Sequence, residues 1–162
     1  MNGISVAVAS AGLSTNAFLD RDYAEAVVLS CMGFRFVSQT EAAVQKAFNI
    51  KDFDLIRLAG GAKNLSSPGI KSRRRTVMAD IALAIESHHV RKIILLNHQA
   101  CGKYAAEGFK WEYSQFEAER AFHHQELRRA GEYAKKRFPQ TEVLLGYTVV
   151  AGNQVIIESV SW

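Results

Sequence analysis

Lys92-Ile93-Ile94-Leu95-Leu96-Asn97-His98-Gln99-Ala100-Cys101-Gly102 is the stretch on which the reading of this chain turns. Its first half is an apolar run that reads as a strand, and its second half turns polar and presents His98 and Cys101. Further back, Ala26-Val27-Val28-Leu29-Ser30-Cys31 has the same form, a β-rich run followed by a thiol. The chain has two cysteines, and both fall just after such runs. Neighbouring strands of a parallel sheet end at the same edge, where ligands bind, so Cys31, His98 and Cys101 can converge there. Two thiolates and one imidazole are donors suited to zinc, and three protein ligands leave one tetrahedral position open, as in catalytic sites. The competing reading is a pair of ordinary buried thiols beside a core histidine, since free cysteine is among the most buried residue types.

Three blocks in order sharpen the choice: Cys31-Met32-Gly33-Phe34-Arg35, then Asp54-Leu55-Ile56-Arg57-Leu58-Ala59-Gly60-Gly61, then His98-Gln99-Ala100-Cys101-Gly102. Together they resemble the β-class carbonic anhydrases, whose pattern runs C-x-D-x-R, R-N-A-G and H-x-x-C-G. The resemblance is close over residues 24–104 and extends plausibly to the whole chain. It implies Zn2+ held by Cys31, His98 and Cys101, Arg35 holding an anion beside the metal, and the backbone at Gly102 helping to hold substrate. It also implies a homodimer or larger homo-oligomer. The chain departs from the family pattern at Gly33, where the family has Asp, and at Leu58, Asn97 and Ala100 in place of Asn, Gly and Asp. The zinc ligands are intact and the polar groups around them are altered, which bears on how the ligands are oriented and the metal tuned.

The activity so implied is reversible hydration of carbon dioxide to bicarbonate and a proton. Zinc lowers the pKa of its bound water to about 7, and the resulting hydroxide attacks the carbon. Two alternatives stay open: hydrolysis of carbonyl sulfide or carbon disulfide by the same chemistry, and a non-catalytic zinc-binding or bicarbonate-sensing protein. Among other candidate residues, Tyr104 and Phe34 are placed in the pocket lining. His123 lies on an apolar helix stripe as a core histidine. His124, His88 and His89 are candidate proton carriers, because an unperturbed imidazole titrates near pH 6.5.

Composition sets the outer bounds. A chain of 162 residues is one domain by default, here 1–162 with 1–24 as an N-terminal arm. Its 48% apolar and 22% charged residues are those of an ordinary globular protein. The net charge of +4 comes largely from Arg73-Arg74-Arg75, Arg128-Arg129 and Lys135-Lys136-Arg137, read as solvated helix surface. No nucleic-acid-binding module is present, although a mildly basic field attracts a small anion such as bicarbonate. No apolar run approaches the roughly 20 residues of a membrane span. The apolar start, Ile4 to Leu13, lacks a basic n-region and reads as an arm. Metal-bound thiolates fit a reducing compartment, so the expected location is cytoplasmic.

Short β-rich runs alternate with longer helical ones, which predicts an α/β fold: a mainly parallel central sheet flanked by helices, with a C-terminal antiparallel edge strand. Strands are expected at 25–31, 54–59, 92–97, 142–150 and 155–160. Helices are expected at 39–48, 72–89 and 113–137, with 64–71 a polar loop. The second helix carries Val77, Ile81, Ala84, Ile85 and His88 on one stripe. The third carries Phe116, His123, Leu127, Ala130, Ala134 and Phe138, and ends at Pro139.

Overall fold

The computed structural model describes residues 21–162. Five strands form one sheet: β1 (Ala26–Ser30), β2 (Phe53–Arg57), β3 (Lys92–His98), β4 (Glu142–Ala151) and β5 (Gln154–Ser159). Their spatial order is β2-β1-β3-β4-β5. The first four are parallel, and β5 returns antiparallel to β4. The helices are α1 (Val37–Phe48), α2 (Lys63–Ser66), α3 (Lys71–His88), α4 (Gly102–Ala105) and α5 (Phe116–Arg137). This is the expected mainly parallel α/β sheet with its antiparallel edge.

The central strands are apolar throughout because both of their faces are covered. Side chains alternate across a strand. Val27 and Leu29 of β1 and Ile93 and Leu95 of β3 enter a large core with Val77 and Ile81 of α3 and Leu127 and Ala130 of α5. Ala26, Val28, Ile94 and Leu96 face the other way and pack with Val44 of α1 and Ile50. Burying one such aliphatic side chain contributes about 1.5–3 kcal/mol. These two layers fix β1 and β3 side by side in the register Leu29↔Leu95, so the chain leaves both strands at the same edge.

Three expectations need adjusting. The segment 64–71 is not wholly a loop: α2 occupies its start, with Lys63, Asn64 and Leu65 buried. The polar side chains there find partners inside the protein. Asn64 Nδ2 donates to the carbonyls of Ala59 (3.1 Å) and Gly61 (2.8 Å), and Lys63 pairs with Glu107 at 2.6 Å. His88 leaves the inner stripe of α3 and pairs with Asp54 at 2.8 Å on the half-exposed edge of β2. The long helix begins at Phe116, after a 3-10 turn (Tyr113–Gln115) closed by a reciprocal cap between Glu112 and Gln115. Of the expected N-terminal arm, residues 1–20 lie outside the described residues. Among the described residues no helix is long and apolar enough to cross a membrane.

Candidate metal centre

Cys31 follows the last residue of β1, and His98 is the last residue of β3. A tight turn through Gln99 and Ala100 then delivers Cys101 to the start of α4. One donor atom from each of Cys31, His98 and Cys101 lies within 4.8 Å of the others, and all three residues are buried. The structure thus brings together the three residues singled out as metal ligands.

The glycines after β2 make room for this convergence. Gly60 and Gly61 have φ of +90° and +52°, a region that side chains disfavour. A Cβ on Gly61 would run into the carbonyl oxygen of Leu96 and come within 3.1 Å of the Cys31 nitrogen. With no side chains in the way, the turn passes over the strand ends, and the Gly60 N–H donates to Cys31 Sγ at 3.3 Å. The Gly60 carbonyl is held in turn by Asn97. With the Asn97 carboxamide assigned so that Oδ1 accepts from the Tyr104 hydroxyl (3.1 Å), Nδ2 donates to the carbonyls of Leu96 and Gly60, each at 3.2 Å.

The donor set fits a metal on the chemistry of His98. Its Nδ1 lies 2.8 Å from the Gln99 carbonyl, which makes Nδ1 the protonated nitrogen. Nε2 then carries a lone pair, is buried, and has no hydrogen-bond partner among the described residues. Buried polar atoms are normally hydrogen-bonded, so an orphan nitrogen clustered with two cysteine sulfurs could hold a metal ion. Phe36 packs against the ring at 4.6 Å between centroids and keeps it in place. Of the two thiols, Cys31 is the more acidic. The hydrogen bond from Cys101 lowers its pKa most, burial opposes, and His98 and the Gly60 N–H lower it further. Cys101 is pushed up by the Cys31 sulfur and by burial. Two sulfurs and one imidazole nitrogen suit zinc, with a fourth position left for water or substrate.

Gly33 lies beside His98 and Cys31. A Cβ built on it would lie 3.5 Å from His98 Nε2 and 3.9 Å from Cys31 Sγ. Its φ of −52° and ψ of 116° suit any residue, so the backbone does not require glycine here. Arg35 is exposed, and its Nη2 donates to the Ala100 carbonyl at 3.0 Å. Gly102 opens α4, and a Cβ there would meet nothing within 4 Å. Tyr104 is fully buried and packs with both cysteines, Trp111 and Phe122, so the Cys101 side of the centre has an aromatic wall. Phe34 instead points to solvent, 86% exposed.

One polar residue of the surroundings escaped the sequence reading, Glu119. Glu119 is buried on the inner face of α5 and accepts a hydrogen bond from the Ala100 N–H at 2.6 Å. The signal was present: Glu119, His123 and Glu126 recur at spacings of four and three on the stripe read as core, and a carboxylate on an inner face needs a buried partner.

Residues 22–158 match the family model described as "Putative carbonic anhydrase". The chain belongs to the β-carbonic anhydrase family. Among curated relatives, an uncharacterized protein of Rickettsia bellii is 28% identical over 137 residues, covering 85% of this chain and 82% of that protein. An uncharacterized protein of Rickettsia conorii is 26% identical over 137 residues, covering 85% and 72%. Solved structures share the fold. The carbonic anhydrase of Streptococcus mutans superposes with a TM-score of 0.57 at 15% identity, over 91% of this chain and 88% of that one. β-Carbonic anhydrase isoform I of Trichomonas vaginalis gives 0.56 at 10% identity, over 92% and 90%.

Proposed function

We propose that this β-carbonic anhydrase family member binds one zinc ion through Cys31, His98 and Cys101 and hydrates carbon dioxide reversibly to bicarbonate and a proton. The observation that carries the reading is the orphaned, buried Nε2 of His98 facing the two cysteine sulfurs. Zinc, when bound, supplies a nucleophile at neutral pH by acidifying coordinated water. The remaining work falls to the chain. The Gln99 carbonyl holds the imidazole in the tautomer that presents Nε2. The Gly60 N–H stabilises the Cys31 thiolate. Tyr104, Trp111 and Phe122 give an apolar wall suited to a nonpolar gas. Arg35 spends one donor on Ala100, and the rest of its guanidinium fork is our candidate for the oxygens of bicarbonate, with Gly102 at the mouth of the site.

The same reading includes a homodimer or larger homo-oligomer, supported by exposed Met32, Phe34 and Val37 beside the first ligand and Leu55 on the edge strand. It treats the chain as one domain around its one sheet, in a reducing compartment, the cytoplasm, where thiolate ligands persist.

Metal analysis of protein purified without added metal, followed by stopped-flow CO2 hydration, is the direct test. One zinc per chain and activity well above background are expected, both lost in Cys101→Ser. Zinc-loaded protein with background activity alone would reject catalysis and leave a non-catalytic zinc-binding protein.

A further inference from the structure

We propose that Glu119 is a positioning residue of the metal centre: with Arg35 it clamps Ala100 and so sets the spacing of His98 and Cys101. This rests on the metal-binding reading above. Ala100 is the residue between those two ligands that takes a left-handed backbone, with φ of +53°. Such a conformation costs energy in any residue with a Cβ, so something must hold it. Its peptide groups are gripped from two directions. The Ala100 N–H donates to Glu119 Oε1 at 2.6 Å, and its carbonyl accepts from Arg35 Nη2 at 3.0 Å. The preceding residue is fixed to β4: the Gln99 N–H donates to the Thr148 carbonyl at 3.0 Å, and Gln99 Oε1 accepts from the Val150 N–H at 2.9 Å.

The burial of Glu119 says what its carboxylate is for. The residue is 6% exposed, and a buried carboxylate is costly unless it is hydrogen-bonded or paired. The nearest charged-group candidate, His123 Nε2, is 3.7 Å away, beyond hydrogen-bond distance. Burial also lowers the His123 pKa, which favours the neutral ring. The short, charge-assisted bond to Ala100 is therefore the strong one. Removing it frees the turn between two ligands without touching either ligand.

The test compares full-length wild type with Glu119→Met, Glu119→Gln and the double variant Glu119→Met with Ala100→Gly. Zinc affinity is read by chelator competition, and ligand geometry by the cobalt(II) absorption spectrum. Glu119→Met keeps the volume but removes the acceptor; zinc should bind about 10–100-fold more weakly, with displaced cobalt bands. Glu119→Gln keeps an acceptor oxygen and should stay within about threefold of wild type. Ala100→Gly should recover part of the loss, because glycine takes this backbone without strain. Wild-type affinity and an unchanged cobalt spectrum in Glu119→Met would overturn the proposal, as would equal damage in Glu119→Gln. If Glu119→Met does not fold, Arg35→Met carries the test, since Arg35 is exposed. Shifted cobalt bands there support the clamp, and an unshifted spectrum overturns it. A wild type that binds no metal rejects the metal-centre reading and the clamp with it. A wild type that binds zinc alongside an unaffected Glu119→Met rejects the clamp alone.

Discussion

A side chain begun at Gly33 would place its Cβ 3.5 Å from His98 Nε2, the nitrogen with no partner among the described residues. The contact is ordinary van der Waals distance, and the backbone there is unstrained for any residue. The glycine is thus a choice about the site rather than a demand of the turn. An aspartate at this position carries its carboxylate oxygens two bonds beyond Cβ, within reach of the space between Cys31, His98 and Cys101. Gly33→Asp should therefore supply a fourth ligand. We expect tighter zinc binding by chelator competition together with slower CO2 hydration near neutral pH. Unchanged metal affinity with undiminished turnover would show that the carboxylate does not reach the metal.

Gly61 makes the opposite case, a glycine the fold cannot replace. Its φ is +52°, and a Cβ would collide with the Leu96 carbonyl oxygen and crowd the Cys31 nitrogen at 3.1 Å. Backbone on both sides cannot move without shifting β3 or Cys31. Gly61→Ala should destabilise the protein by about 2 kcal/mol or more, the scale of left-handed strain plus a steric clash. Urea denaturation reads the loss. A midpoint equal to wild type would mean that the turn relaxes freely.

These two glycines also mark how far the sequence could be read. The convergence of Cys31, His98 and Cys101 was legible because they follow aliphatic runs, and a parallel sheet gathers strand ends at one edge. The two core layers were legible for a similar reason: Val27 and Leu29 alternate with Ala26 and Val28, so the period of two assigns the faces. The place of Glu119 on the inner stripe of α5 signals a buried partner, but which partner is not legible, because it is a backbone N–H with no signature in sequence. The helical turn α2 is not legible in the polar segment 64–71, where Pro68 and Gly69 signal a loop and Asn64, like Lys63 before it, is of a type usually found at the surface. Their burial depends on Glu107 and on carbonyls of the glycine turn, contacts that exist only once the chain has folded.

Self-association is expected from the apolar residues beside the site. Phe34 is 86% exposed and Met32 61%, with Val37 and Leu55 also outward. Covering such residues is favourable by about 25 cal/mol per Å2 of apolar area. Sedimentation at micromolar concentration should give at least twice the 18.0 kDa chain mass. Phe34→Glu should shift the protein toward the monomer. A wild type that sediments as an 18.0 kDa species would reject the interface.

The last expectation concerns pH and comes from His123. This side chain is fully buried, stacked on Tyr147 at 5.2 Å between centroids and edge-on to Tyr104 at 4.6 Å. Burial lowers its pKa below the ordinary 6.5, with Glu119 opposing. In the unfolded chain the ring titrates near 6.5, so below that pH the unfolded state binds a proton that the native state refuses. Stability is then fully present above about pH 6.5 and is lost as pH falls through the window between 6.5 and the lowered native value. The slope for one such group is at most about 1.4 kcal/mol per pH unit. His124 shifts the same way, chiefly through burial. A second, more acidic window belongs to Glu126. Burial pushes its pKa up, but hydrogen bonds from Ser67, Ser66 and Arg129 outweigh that and hold it below 4.5, so its contribution is lost only as pH falls below about that value. Urea midpoints of metal-free protein at pH 7.5, 6.5 and 5.5 enter the first window, stay above the second, and exclude metal release from the signal. The midpoint should fall across this range, and His123→Phe, which keeps the ring volume and removes the titration, should make the fall shallower. A flat wild-type profile, or a variant with the full wild-type slope, would show that His123 is not the group responsible.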